Sequence, residues 1–192
     1  MELNKDEYNK ESFNGLKILE KNIIDKTFDE CTFENCDFSN SDFSNSKFLD
    51  CKFINSNLSL VKIDDARLSG VKFFDCKILG VNFGLMDDFM LKLDFKKCLI
   101  KNTYFTELKL PRTNFIECEI YECEFSAVDL SYCDFSNSNL NKTYFTKCLL
   151  MGCNFLSSKN YSIDPTNNEL TGAKFSIPQV LGLLDYFDIV VE

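Results

Sequence analysis

Ten cysteines and 30 acidic residues, with no histidine and no tryptophan, set what chemistry this sequence could perform. Cysteines can pair as disulfides, ligate a metal or act as nucleophiles, and paired carboxylates can do acid–base work. Without histidine the Ser-His-Asp and Cys-His arrangements are excluded, along with the commonest general base. Mixed Cys/His zinc sites are excluded too. Spacing decides among the remaining uses. Cys31, Cys36, Cys51, Cys76, Cys98, Cys118, Cys123, Cys133, Cys148 and Cys153 each stand two residues before a Phe, Leu or Ile. One position relative to an apolar neighbour is a packing signature, because free Cys packs as a small buried hydrophobe.

The element behind that position is a five-residue beat. From Phe28 every fifth residue is apolar, through Phe33, Phe38, Phe43, Phe48, Phe53, Leu58, Ile63, Leu68, Phe73, Ile78 and Phe83. A second series runs in the same step from Phe95 to Phe155. A period of five fits neither a helix nor a flat strand, so the chain is a repeat with its own geometry. One large and one small residue of each five point inward, and the other three face water. A unit with so little core must stack on its neighbours. If four units make one coil of ~20 residues, successive coils lie ~4.8 Å apart, the spacing of paired strands. Stacked cysteines such as Cys31 and Cys51 then fall inside the Cα range of a disulfide. Their side chains point in parallel, however, and a reducing compartment disfavours the bond.

Three stretches depart from the beat. Residues 1–23 carry Phe13, Ile18 and Ile23 on the beat among poorly matching neighbours, and read as a cap, either a short helix or a first irregular coil. Phe95 follows Phe83 by twelve residues instead of ten, which puts a two-residue interruption in 84–94 (GLMDDFMLKLD). It reads as a bulge or small loop, with Met86, Phe89 and Met90 able to plug the interior; a partner-contact loop is the alternative. Residues 158–192 hold a loop, one further unit at Ala173-Lys174-Phe175, and Ser176-Ile177-Pro178 opening an amphipathic helix with Val180, Leu181, Leu183, Leu184 and Phe187 on one side. Ile189-Val190-Val191 forms an apolar tail. The organisation expected is a cap (1–23), a repeat array (24–157) and a terminal coil with a helix (158–192).

Net charge is −9, which disfavours direct nucleic-acid binding, since that depends on Lys and Arg neutralising phosphates. No apolar run approaches the ~20 residues of a membrane span. The first twenty residues lack a signal-peptide core, so a soluble cytoplasmic protein is expected. With no cleft and no cofactor motif, neither an enzyme nor a metal or cofactor site is expected. Outward positions carry the surface features. Asp42, Asp64, Asp65, Glu107 and Glu124 fall on one face, partly offset by Lys62 and Lys147, as an acidic docking strip or an ordinary charged surface. Ile54, Phe74, Ile116 and Leu156 form an apolar stripe on another face, broken by Lys96 and Ser136. Lys96, Lys97 and Lys101 make a basic spot.

The pattern resembles the pentapeptide repeat family, whose motif is small–polar–Leu/Phe–polar–polar, across about residues 24–157. The resemblance implies an all-β, right-handed quadrilateral β-helix. Leu93, Leu108 and Lys26 depart from the small position. The two-part array and the ending GAKFSIPQVLGLLDYFDIVVE are similar to the Qnr-type and MfpA-type branch. That branch implies a homodimer joined through the C-terminus, here by Val180, Leu181, Leu183, Leu184 and Phe187. It also implies a rod similar to DNA in width and charge that binds DNA gyrase or topoisomerase IV. The acidic face would meet the enzyme, whether to inhibit it or to protect it from quinolones or toxins. Roughly seven coils give a rod of ~35 Å, over which duplex DNA carries ~20 charges, so the mimicry is partial. The long loops of many Qnr-type proteins are missing. A structural or adaptor rod without topoisomerase activity is the alternative.

Overall fold

The computed structural model describes residues 3–187 and 189–190. The five-residue beat becomes a quadrilateral β-helix of about 8 turns. Many units put their large residue in a two- to four-residue strand, and the others make isolated bridges; both pair in parallel with the equivalent unit one coil away. Face 1 carries Glu7–Asn9, Thr27–Asp29, Lys47–Leu49 and Arg67–Ser69. Face 2 carries Ser12–Asn14, Thr32–Glu34, Lys52–Ile54, Val71–Phe74, Leu93–Lys96 and Asn114–Ile116, and ends with Asn154–Phe155 beside Lys174–Phe175. Face 3 carries Lys77–Leu79, Leu99–Lys101 and Glu119–Tyr121; face 4 carries Tyr104–Thr106, Glu124–Ser126 and Tyr144–Thr146. Isolated bridges extend face 4 upward through Asn22, Asp42 and Lys62, and join Asn82 to Tyr104.

The interior is a set of stacked ladders. On face 2, Phe13, Phe33, Phe53, Phe73, Phe95, Phe115, Phe135, Phe155 and Phe175 lie ring on ring, with centroids 4.8–5.3 Å apart. Each ring meets those of adjacent faces edge-on, as Phe115 meets Phe125 at 90°, the arrangement that aromatic quadrupoles favour. Burying each such side chain contributes ~1.5–3 kcal/mol. Where Leu58, Ile63 and Leu68 replace Phe, the smaller side chains leave an apolar void of ≈ 20 Å³.

Two local rules turn the chain at every corner. The residue two after nearly every centre adopts the left-handed conformation, from Lys10 (φ 53°) through Asn35, Asn45 and Asp65 to Ser157 (φ 60°), Leu85 after Phe83 being an exception. Asn, Asp and Gly visit that region most readily. Gly152 (φ +65°) meets the constraint while the Tyr132 ring lies 2.6 Å from where its Cβ would stand. The small residue two before each centre serves the corner chemically. Ser41 Oγ donates to the Ile18 carbonyl (2.7 Å), Ser46 to Ile23 (2.8 Å) and Cys51 Sγ to Phe28 (3.4 Å). A Ser, Thr or Cys there satisfies a buried carbonyl that would otherwise be costly.

The three departures resolve as follows. Residues 3–23 wind as a first coil: Tyr8 is buried and stacks on Phe28 at 5.0 Å. Its phenol takes the place of Phe on the beat, and its Oη accepts from the Lys5 amide. The interruption contains a short 3-10 turn, Phe83–Leu85. Met86 is buried in the small-residue column, but Phe89 and Met90 are exposed and do not plug the interior. Arg67 holds Phe89 outside, its guanidinium 4.8 Å from the ring, and pairs with Asp87 at 2.5 Å. Half-buried Leu91 packs against the core in their stead.

Near the C-terminus, a 3-10 segment Gln179–Leu183 stands where an amphipathic α-helix is expected. Gly182, a poor helix former, lies within the segment. The lack of a side chain lets Gly182 approach the Tyr161 carbonyl, which would lie 2.9 Å from an added Cβ. Val191 lies outside the described residues. No helix among the described residues is long and apolar enough to cross a membrane.

Candidate interaction surface

The interior offers no site, so the outer faces carry the candidates. All ten cysteines are buried in the small-residue columns, as their spacing indicates. The pKa of nine of them is raised, which favours the neutral thiol. Burial pushes Cys51 and Cys153 up to about 12 and Cys123 to about 11. Cys98 is raised to about 12 by its hydrogen bond with Cys118 together with burial. Among the described residues, no group of Cys, Asp or Glu could hold a metal ion.

The register brings the predicted acidic residues together. Asp42 and Glu124 occupy the outward column before the face-4 centres, in line with Lys62, Asn82, Tyr104 and Tyr144. Asp64 follows the centre Ile63, and Asp65 turns the corner beside Leu85, whose carbonyl accepts from its amide at 2.8 Å. Glu107 turns the same corner after Phe105. Asp42 is partly engaged: burial opposes ionisation, but the Ser44 hydroxyl and amide donate to its carboxylate and hold its pKa below the ordinary value.

The face-4 acids stand outside the ion pairs, as do Asp37, Asp50, Asp75, Asp129 and Asp134 on the other faces. The eight ion pairs among the described residues include Arg67–Asp87 on face 1, Lys96 and Lys97 with Glu117 at the face 2–3 corner, and Lys101 and Lys142 with Glu122 entering the face 3–4 corner. The others join Lys5–Glu11, Lys10–Glu30 and Lys26–Asp6. None of them engages Asp42, Asp64, Asp65, Glu107 or Glu124. The basic spot at Lys96, Lys97 and Lys101 is therefore neutralised locally, while the carboxylates of face 4 remain available. Residue order alone does not disclose this, because the pairing depends on which corner each long side chain leans toward.

The predicted apolar stripe also forms. Ile54, Phe74, Lys96 and Ile116 are successive partners in the face-2 ladder. Ile54, Phe74 and Ile116 are half-buried against one another's rungs, whereas Leu156 is 43% exposed beyond Ser136. Of the expected dimer residues, Leu181 and Phe187 are exposed, Val180 and Leu184 half-buried, and Leu183 packs on the core. Ile177 and Val190, both 88% exposed, add to that apolar end.

Two sequence-family comparisons match the array. One, described as a pentapeptide repeat region, covers residues 26–103; the other, described as pentapeptide repeats (8 copies), covers residues 118–156. No curated protein matches the sequence. Among solved structures, a trypsin-treated variant of QnrB1, a plasmid-mediated fluoroquinolone resistance protein, superposes with a TM-score of 0.68 at 17% identity. The match covers 94% of this chain and 100% of that one. A second trypsin-treated variant gives 0.64 at 16% identity, covering 97% and 98%. At these identities the likeness is one of fold.

Proposed function

Because this chain belongs to the pentapeptide repeat family, we propose that it is a non-enzymatic binding rod that docks face 4 onto DNA gyrase or topoisomerase IV as a partial DNA mimic. The proposed site of action is the cytoplasm. The observation that carries the reading is the acidic strip on face 4 and its corner, Asp42, Asp64, Asp65, Glu107 and Glu124, none of them in an ion pair and together outnumbering Lys62 and Lys147 on the same side. A duplex-binding groove is lined by Lys and Arg, and a straight acidic strip is what such a groove would accept. The fold shared with a fluoroquinolone resistance protein supports the choice of target. The exposed apolar residues at the C-terminal end support an end-to-end homodimer. In a gyrase supercoiling assay with and without a quinolone, the protein should alter the product at micromolar concentration. Reversing Asp64, Asp65 and Glu107 to Lys should weaken that effect at least tenfold. No effect at tens of micromolar protein overturns the reading.

The alternative, an adaptor rod with no topoisomerase activity, draws on the aligned apolar column Ile54, Phe74 and Ile116. It becomes the better reading if the supercoiling assay is silent.

A further inference from the structure

Face 4 changes character below the interruption. Above it the outward column before each centre reads Asn22, Asp42, Lys62. Below it the same column reads Tyr104, Glu124, Tyr144, paired rung to rung in one parallel ladder. Tyr104 and Tyr144 are 47% and 57% exposed, and neither Oη has a hydrogen-bond partner among the described residues. The carboxylate between them is exposed and takes part in no ion pair. The other outward tyrosines are engaged: Tyr121 donates to Glu119, and Tyr132 lies under Arg112 at 5.0 Å.

We infer that Tyr104, Glu124 and Tyr144 form a clamp for an arginine side chain presented by a protein partner. Two rungs of ~4.8 Å separate the tyrosines by ~10 Å at the backbone. A planar group with a ring against each side at ~3.5–4 Å needs the rings ~7–8 Å apart, which the exposed side chains reach by each leaning inward by about 1 Å. The carboxylate at the floor accepts the guanidinium N–H groups, and the rings supply two aromatic faces. Guanidinium is suited to this on three counts: it is planar, weakly hydrated and able to fork onto a carboxylate. An ammonium would gain the charge contact and lose the stacking. Charge complementarity commits the occupant further. Glu107 at the adjoining corner and the acids above the interruption favour a segment carrying more than one cation, with arginine at the clamp. The inference rests on reading face 4 as the docking surface, but not on the identity of the partner.

The test uses the full chain with 13C-labelled tyrosine and two probes, blocked peptides of alternating Gly with three Arg or with three Lys. The Arg peptide should shift the ring signals of Tyr104 and Tyr144 and leave Tyr121 and Tyr132 in place. It should bind at least fivefold more tightly than the Lys peptide. Glu124→Gln and Tyr144→Ser should each weaken it about tenfold, with unchanged thermal unfolding because both residues are exposed; Tyr132→Ser is the off-face control. Equal affinity for the two peptides, or shifts spread over all tyrosines, overturns the clamp. The same variants in the supercoiling assay separate the two readings. Arg-selective binding with no effect on gyrase sustains the clamp and removes the topoisomerase target. Full gyrase effect in Tyr144→Ser removes the clamp from that interaction.

Discussion

At the scale of single residues, the five-position code assigns each side chain a physical task. The cysteines show how far the sequence can be read. Their constant offset from the centres identifies them as interior, but not why Cys, Ser and Thr recur there in preference to Ala. The reason is the corner carbonyl one coil back, which a side-chain donor in this column reaches, as Ser138 reaches Phe115 and Cys133 reaches Leu110. The corner residue two after the centre was equally readable, in Asn35, Asn40, Asn45 and Asp50. Leu60, Met90 and Tyr132 at the same position dilute the signal. A pH dependence follows from the buried thiols. Cys51, Cys123 and Cys153 have folded pKa values of about 11–12, above the ordinary value of 9.0. The unfolded chain therefore loses protons first as pH rises. Stability from these groups is complete below pH ~9 and is lost toward pH 11–12, at about 1.4 kcal/mol per thiol per pH unit within that window. Urea unfolding should give a constant free energy from pH 7 to 8 and a steep decline above 9. A thiol reagent at pH 8 should find no reactive cysteine until denaturant is added, and then ten. A stability curve flat to pH 11 would refute the assignment.

At the scale of elements, the interruption is the informative departure. Its two-residue offset was legible, since Phe95 misses the beat by that amount. Which face absorbs the offset was not, because that depends on pairing. Arg67 bridges Asp87 and Lys109 bridges Asp129, yet among the described residues no bridge joins Asp87 to Lys109. The offset is thus taken up on face 1; on face 4 Asn82 pairs with Tyr104 below the interruption, while among the described residues no bridge joins Lys62 to Asn82 above it. Removing Asp88 and Phe89 leaves Met86-Asp87-Met90-Leu91-Lys92, a regular unit with Met at its centre. The deletion should fold, and should close the face-1 ladder. A gain of ~1 kcal/mol would raise Tm by ~2–4 °C for a chain of this size. If it instead lowers Tm by several degrees, the stacking of Arg67 on Phe89 is needed for the fold. The C-terminal segment is where pattern reading went wrong. Apolar spacing at Val180, Leu181, Leu183 and Leu184 suited a helix, but Gly182 falls among them and the segment forms a 3-10 turn.

At the scale of the whole molecule, the two ends of the rod differ. At the N-terminal end Leu3 packs against the core and Tyr8 is buried. At the C-terminal end Ile177, Leu181, Tyr186, Phe187, Ile189 and Val190 are all exposed. Six large apolar residues at one end exceed the scattered exposure normal for a monomer and mark a contact site. A closed two-fold contact places the same patch on both chains, so apposing the C-terminal ends would bury the patch of each chain against its copy. Without a stable α-helix to present them, the proposed dimer would use the exposed Leu181 and Phe187, with Leu184 half-buried behind. Sedimentation equilibrium should return about twice the 22.2 kDa chain mass. Leu181→Asp with Phe187→Asp should return the single-chain mass with an unchanged far-UV spectrum, since neither side chain supports the core. Leu184→Asp should weaken the dimer less cleanly, because it also disturbs packing beside Leu183. A wild-type chain that sediments as a monomer at tens of micromolar removes the dimer. A dimer that survives the double substitution shifts the contact to another surface, with the apolar face-2 column the next to be tested.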